Sequence, residues 1–145
     1  MTDTPVIDGR LVGLAHYASR ALLEQVLTST GVTFTESAML RALEDHGGHL
    51  DSTVLVTRVT KALGNADGQA AHAAAERLIA DGLLDSATDG VSMTDAGRAV
   101  LEEVQAGGRK VAARLYADIP RADLETAGRV LTLVLQRANA ELESS

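Results

Sequence analysis

The chain of 145 residues contains no cysteine and no tryptophan. Without cysteine there is no disulfide, no thiol chemistry and no thiolate metal site, which fits a reducing compartment. Aromatic residues make up 2% of the chain and amount to Tyr17, Phe34 and Tyr116. No stretch approaches the roughly 18 consecutive apolar residues of a membrane span, and MTDTPVIDGR lacks the basic start and apolar run of a signal peptide. The expectation is a soluble, cytoplasmic protein. Basic residues are also scarce, 13 against 20 acidic ones, for a net charge of −7. That balance opposes non-specific attraction to a phosphate backbone, so any duplex binding needs its few cations gathered on one face. What is abundant is Ala, Leu and Val in a composition 46% hydrophobic, favouring a mostly helical protein packed through small aliphatic side chains. The length suits one domain, or a unit that completes its core by pairing with a copy of itself.

Apolar periodicity then divides the chain. Residues 10–29 carry Leu11, Leu14, Ala15, Ala18, Leu22 and Val26 at spacings of three and four, predicting a helix that ends near Gly31. A shorter helix is expected from Thr35 and Glu36, with Ala38, Met39, Ala42 and Leu43 inward and Gly47-Gly48 as its stop. Residues 51–63 mix a β-branched run with a helical step through Val56, Val59 and Leu63; Asp51 or Ser52 as cap and Gly64 as stop decide for helix. The next segment, "DGQAAHAAAERLIADG", reads as a helix capped by Asp67 and closed by Gly82, with Ala71, Ala74, Ala75 and Leu78 as its core face.

Two short β segments follow, Leu83–Ser86 and Val91–Met93, joined through Thr88-Asp89-Gly90. Thr94 is placed to cap a long helix reaching Tyr116, with Ala96, Val100, Leu101, Val104, Val111 and Leu115 inward and a weak point at Gly107-Gly108. After Pro120, a last helix from about Ala122 to Leu142 repeats Leu124, Ala127, Val130, Leu131, Val134, Leu135 and Ala138. The fold class is therefore mainly α with a small β-hairpin wing: a winged helix-turn-helix over residues 33–106. Residues 1–32 and 107–145 form a helical dimerisation region, because their stripes exceed what the small middle domain can cover.

The segments "LIADGLLD", residues 78–85, and "VSMTDAGRAVLEEV", residues 91–104, resemble the helix end, wing and following helix of the MarR family of bacterial transcription regulators. The match lies in Met93-Thr94 and Ala96-Gly97-Arg98, and as an ordered set of elements it spans Leu11 to Leu142. The resemblance implies a homodimer of interleaved long helices. It implies two winged domains that reach successive major grooves of double-stranded DNA, and a small-molecule pocket between the dimer base and each winged domain.

The helix over 67–82 is then the one that would enter the groove. Its outward positions are Gly68, Gln69, Ala70, His72, Ala73 and Glu76, of which Gln69 can bond adenine edges and His72 can donate to guanine or phosphate. Arg58, Lys61 and Arg77 complete the DNA-binding candidates. The wing "DSATDG" has no Lys or Arg, and residues 33–98 hold five basic against ten acidic residues. Each missing phosphate contact lowers both affinity and its salt dependence.

His46 and His49 flank Gly47-Gly48 and, with Asp45, Asp51 or His16, could be read as a divalent metal site, which needs three converging ligands; a solvated turn holding two polar histidines is the favoured reading, and no metal and no cofactor is assigned. His16 and Tyr17 sit mid-helix where the resemblance puts one wall of the ligand pocket. With Phe34 they are the ligand-binding candidates, suited to a small apolar or aromatic molecule with one polar anchor. His16 could also serve as an acid or base. No nucleophile elbow, phosphate loop or His-x-x-x-His helix accompanies it, and no catalytic residue is named. Two readings stand: a homodimeric regulator whose DNA binding responds to such a ligand, or a dimer of the same fold that has lost DNA binding and serves ligand binding, partner binding or catalysis.

Overall fold

The computed structural model describes residues 4–64 and 68–145; Asp67, expected to cap a helix, lies outside them. The element order is α1 (Gly9–Thr30), α2 (Phe34–Asp45), β1 (His49–Leu50), α3 (Ser52–Ala62), α4 (Gly68–Ala80), β2 (Leu84–Ala87), β3 (Gly90–Met93), α5 (Asp95–Leu115) and α6 (Arg121–Ser144). Two compact units contain them, Met1–Val111 and Ala112–Ser145.

Side chains that satisfy the orphan N–H groups of the first turn set where the helices begin. Asp8 accepts from Leu11 N at 2.8 Å to start α1. The second helix begins two residues earlier than its composition suggests. Thr33, not Thr35, is the cap: its Oγ1 accepts from Glu36 N at 3.1 Å while Glu36 Oε1 accepts from Thr33 N at 3.2 Å. That reciprocal capping box requires the Thr-x-x-Glu spacing, which Thr35 lacks. At α3, Asp51 Oδ1 accepts from both Thr53 N and Val54 N. With the cap in place the β-branched run becomes helical, and Leu55 and Val59, one turn apart, reach the core. Gly31, Gly64 and Gly82 all take the left-handed conformation that closes helices.

The sheet has a member that periodicity did not reveal. β1, only two residues long, pairs antiparallel with β3 through His49↔Ser92 and Leu50↔Val91, and β2 pairs on the other side through Leu84↔Met93 to Ala87↔Gly90, giving the order β1-β3-β2. Two residues cannot display an alternation, so only pairing identifies such a strand.

The core of the first unit joins Met39, Leu40 and Leu43 of α2 to Leu55 and Val59 of α3, Ala71, Ala74 and Leu78 of α4, and Leu101 and Val104 of α5. On α5 the residue turned inward at the start is Gly97, whereas Ala96 is exposed. Thr94 Oγ1 caps that helix by accepting from Gly97 N at 3.0 Å and donates to Gly82 O at 2.8 Å. A Cβ on Gly97 would run into the carbonyl oxygen of Leu83, so the helix touches the bend that leads into β2 backbone to backbone. Gly107 is likewise a contact and not a weak point: α5 passes through it unbroken, and a Cβ there would strike Val26 of α1.

Much apolar surface stays uncovered. Leu11 and Leu14 of α1 are 42% and 54% exposed. In the second unit no residue of α6 is buried, and Leu131, Val134 and Leu135 are all exposed. Among the described residues, no helix is long and apolar enough to cross a membrane.

Candidate nucleic-acid interface

Helices α3 and α4 form the helix-turn-helix, and α4 presents two opposite faces. Ala71, Ala74, Ala75 and Leu78 are buried. Gly68, Gln69, Ala70, His72, Ala73 and Glu76 are exposed, the division expected from a 3.6-residue period. The outer face thus carries Gln69 and His72 among glycine and alanine, a surface low enough for the helix backbone to come close to a groove floor. His72 Nε2 lies 3.1 Å from Glu76 Oε1, one turn along the same exposed face. When protonated, the imidazole has a carboxylate beside it that competes with phosphate or guanine for its N–H.

The other candidate cations disperse. Arg58 and Lys61, three residues apart on α3, are exposed. Arg77 turns toward α2, with Nε 3.0 Å from Glu36 Oε2; Glu36 is 3% exposed on its side chain and Arg77 60%. The Arg98 guanidinium lies over Gly48. This leaves α3 as the element of the head that offers Arg58 and Lys61 together.

The wing turns at Thr88-Asp89 between the paired Ala87 and Gly90. His49 fastens it from β1: Nδ1 is 2.6 Å from Ser92 Oγ and Nε2 is 3.2 Å from the Asp89 carbonyl oxygen, with Asp89 Oδ2 at 3.7 Å. The histidine considered for a metal is thus a cross-strand brace, and His46 lies against the Ala42 carbonyl oxygen at 2.9 Å. Asp85 and Asp89, both exposed, are the wing's charged residues, and they repel phosphate.

Two of the grooves among the described residues of this unit bear on the candidate residues. One, of about 270 Å³, lies between the end of α1 and the start of α2 and is lined by Arg20, Leu27, Val32, Thr33 and Phe34 among others. There the Arg20 guanidinium carbon sits 4.2 Å above the centre of the Phe34 ring, a cation–π contact, while Glu24 pairs with Arg20 at 3.4 Å. Phe34, one of the ligand candidates, belongs to this groove. His16 and Tyr17 are exposed on α1 outside its lining, their rings 5.4 Å apart. Arg20 escaped notice in the sequence because its partner ring is fourteen residues away, across a helix end. The second groove, of about 380 Å³, lies between α3, α4 and the hairpin; Val56, Ala75, Ile79 and Val91 line it together with His72 and Glu76.

No family model and no curated protein matches the chain. Solved structures do. Reduced MarR from E. coli superposes with a TM-score of 0.71 at 20% identity, over 91% of this chain and 96% of that one. CouR from Rhodococcus jostii RHA1, solved bound to p-coumaroyl-CoA, gives 0.75 at 16% identity over 87% and 90%. A MarR-family protein from Mycobacterium tuberculosis, solved in complex with DNA, gives 0.69 at 21% identity over 91% and 98%. The agreement runs across almost the full length of this chain and of each of those chains, and the chain has the MarR-type winged helix-turn-helix fold.

Proposed function

We propose that the protein is a homodimeric, cytoplasmic transcription regulator that binds double-stranded DNA through α4 and whose binding is modulated by a small apolar or aromatic ligand. The observation that carries this reading is the outer face of α4, with Gln69 and His72 set among small residues beside a braced wing. Gln69 and His72 would read base edges, and Arg58 and Lys61 would meet phosphates. Residues 1–32 and 107–145 would supply the dimer contacts, for which the exposed stripes of α1 and α6 are the support. His16, Tyr17 and Phe34 are the ligand contacts proposed, with Phe34 already on a groove wall. The likeness to a DNA complex and to a protein holding an aromatic acyl-CoA supports both halves of the reading.

The charge of the head favours a second reading, in which the same fold has lost DNA binding and acts as a ligand-binding, partner-binding or catalytic dimer. Wing carboxylates without a wing cation, and Arg77 engaged by Glu36, are its support. Titration of the DNA flanking the protein's own gene separates the two. Saturable binding at about 0.1 M salt with a steep salt slope supports the regulator, and no binding at about 50 mM salt sinks it.

A further inference from the structure

Glu36 is a carboxylate inside the core. One oxygen is used by the capping box of α2, accepting from Thr33 N at 3.2 Å. The other, Oε2, is buried and receives no aligned hydrogen bond among the described residues. What compensates its charge is Arg77, with Nε 3.0 Å away. A buried carboxylate needs such a partner, since burial without one is strongly unfavourable.

The position of Arg77 gives the pair its consequence. It lies in the last turn of α4, where a cation also complements the helix dipole. The inner face of α4 is mostly alanine, so each residue buries little apolar area and resists sliding or rotation weakly. An ion pair across to α2 removes that freedom at one end.

We propose that Arg77 is a positioning residue and not a DNA contact: through the buried carboxylate of Glu36 it locks the orientation of α4 to the capped N-terminus of α2. The pair is a strut between the helix that faces outward and the helix whose first turn walls the Phe34 groove, for Thr33 belongs to both the capping box and that groove. Its effect on DNA rests on the reading of α4 as the helix that enters the groove.

The test combines thermal melts, DNA titrations at several salt concentrations, and amide hydrogen exchange on the full-length protein carrying Arg77→Ala, Arg77→Lys, Glu36→Gln and the Arg77→Ala/Glu36→Gln pair. The strut predicts that Arg77→Ala and Glu36→Gln each lower Tm by about 5 °C, that the double variant loses clearly less than the two losses added, and that Arg77→Lys retains most of the wild-type Tm. Arg77→Ala should weaken DNA binding about tenfold, with an unchanged slope of log affinity against log salt. Glu36→Gln should weaken it too, although removing a negative charge would by itself strengthen it. A slope reduced by about one unit for each lost contact, with Tm unchanged, makes Arg77 a phosphate contact and overturns the proposal. So does tighter DNA binding by Glu36→Gln. If the wild type binds no DNA, the regulator reading fails separately, and the strut is still decided by exchange: faster exchange confined to α4 in Arg77→Ala and Glu36→Gln upholds it, uniform acceleration or none refutes it. Should Arg77→Ala not fold, Glu36→Gln and Arg77→Lys carry the same comparison.

Discussion

At the scale of single residues, the outer face of α4 depends on very few side chains. Gln69 is exposed near the start of the helix, and an amide can bond adenine N6 and N7 together. Gln69→Ala is therefore expected to change sequence preference, with discrimination at one base pair falling by roughly 1–3 kcal/mol, measurable by competition between operator variants. A uniform loss across sequences would instead assign Gln69 to the backbone. Gly97 makes a different kind of contribution. Because a Cβ there meets the Leu83 carbonyl oxygen and lies 3.1 Å from Met93 Cγ, Gly97→Ala should destabilise the fold by about 1–3 kcal/mol, read by urea denaturation. A wild-type midpoint would mean that α5 can move off the hairpin freely.

Among elements, the wing is the one whose chemistry disagrees most with phosphate. Its turn residues Thr88 and Asp89 are exposed, and His49 braces the strands behind them. A cation at the tip should change binding without changing the fold. Thr88→Arg is expected to steepen the salt slope by about one unit per subunit and to tighten binding at low salt, if the wing lies near the duplex. An unchanged slope would place the wing away from DNA. The elements also differ in how readable they were. Caps and glycine stops are local signals, so helix positions followed from sequence to within a residue or two, although α2 is capped by the Thr33/Glu36 box and not by Thr35. β1 was not readable, because a two-residue strand exists only through its pairing with β3.

For the whole molecule, the dominant feature is apolar surface that the chain leaves open. The second unit cannot bury the stripe of α6 by itself: Leu131, Val134 and Leu135 remain 42%, 50% and 60% exposed. A monomer presenting such a continuous stripe would associate, and a second copy is the partner proposed. Charging the stripe with Leu131→Glu and Leu135→Glu should convert a dimer to monomers in sedimentation velocity and abolish DNA binding, while α3, α4 and the wing keep their exchange protection. A wild-type protein that sediments as a monomer at tens of micromolar would contradict the dimer directly.

Composition and spacing were enough to determine six helices, a hairpin and the winged-helix order, because caps, glycine stops and the 3.6-residue period act over a few residues of chain. They also determined which face of α4 is apolar. The partners of the charges were decided only in three dimensions. Arg77 looks like a groove cation in the sequence; folding brings it to Glu36, forty-one residues earlier, where a buried carboxylate needs a counter-charge. Arg20 meets the Phe34 ring, and His49 meets Ser92 and Asp89, likewise only once distant segments are packed together. Long-range ion pairs and cross-strand contacts depend on how helices pack, and no local pattern encodes that.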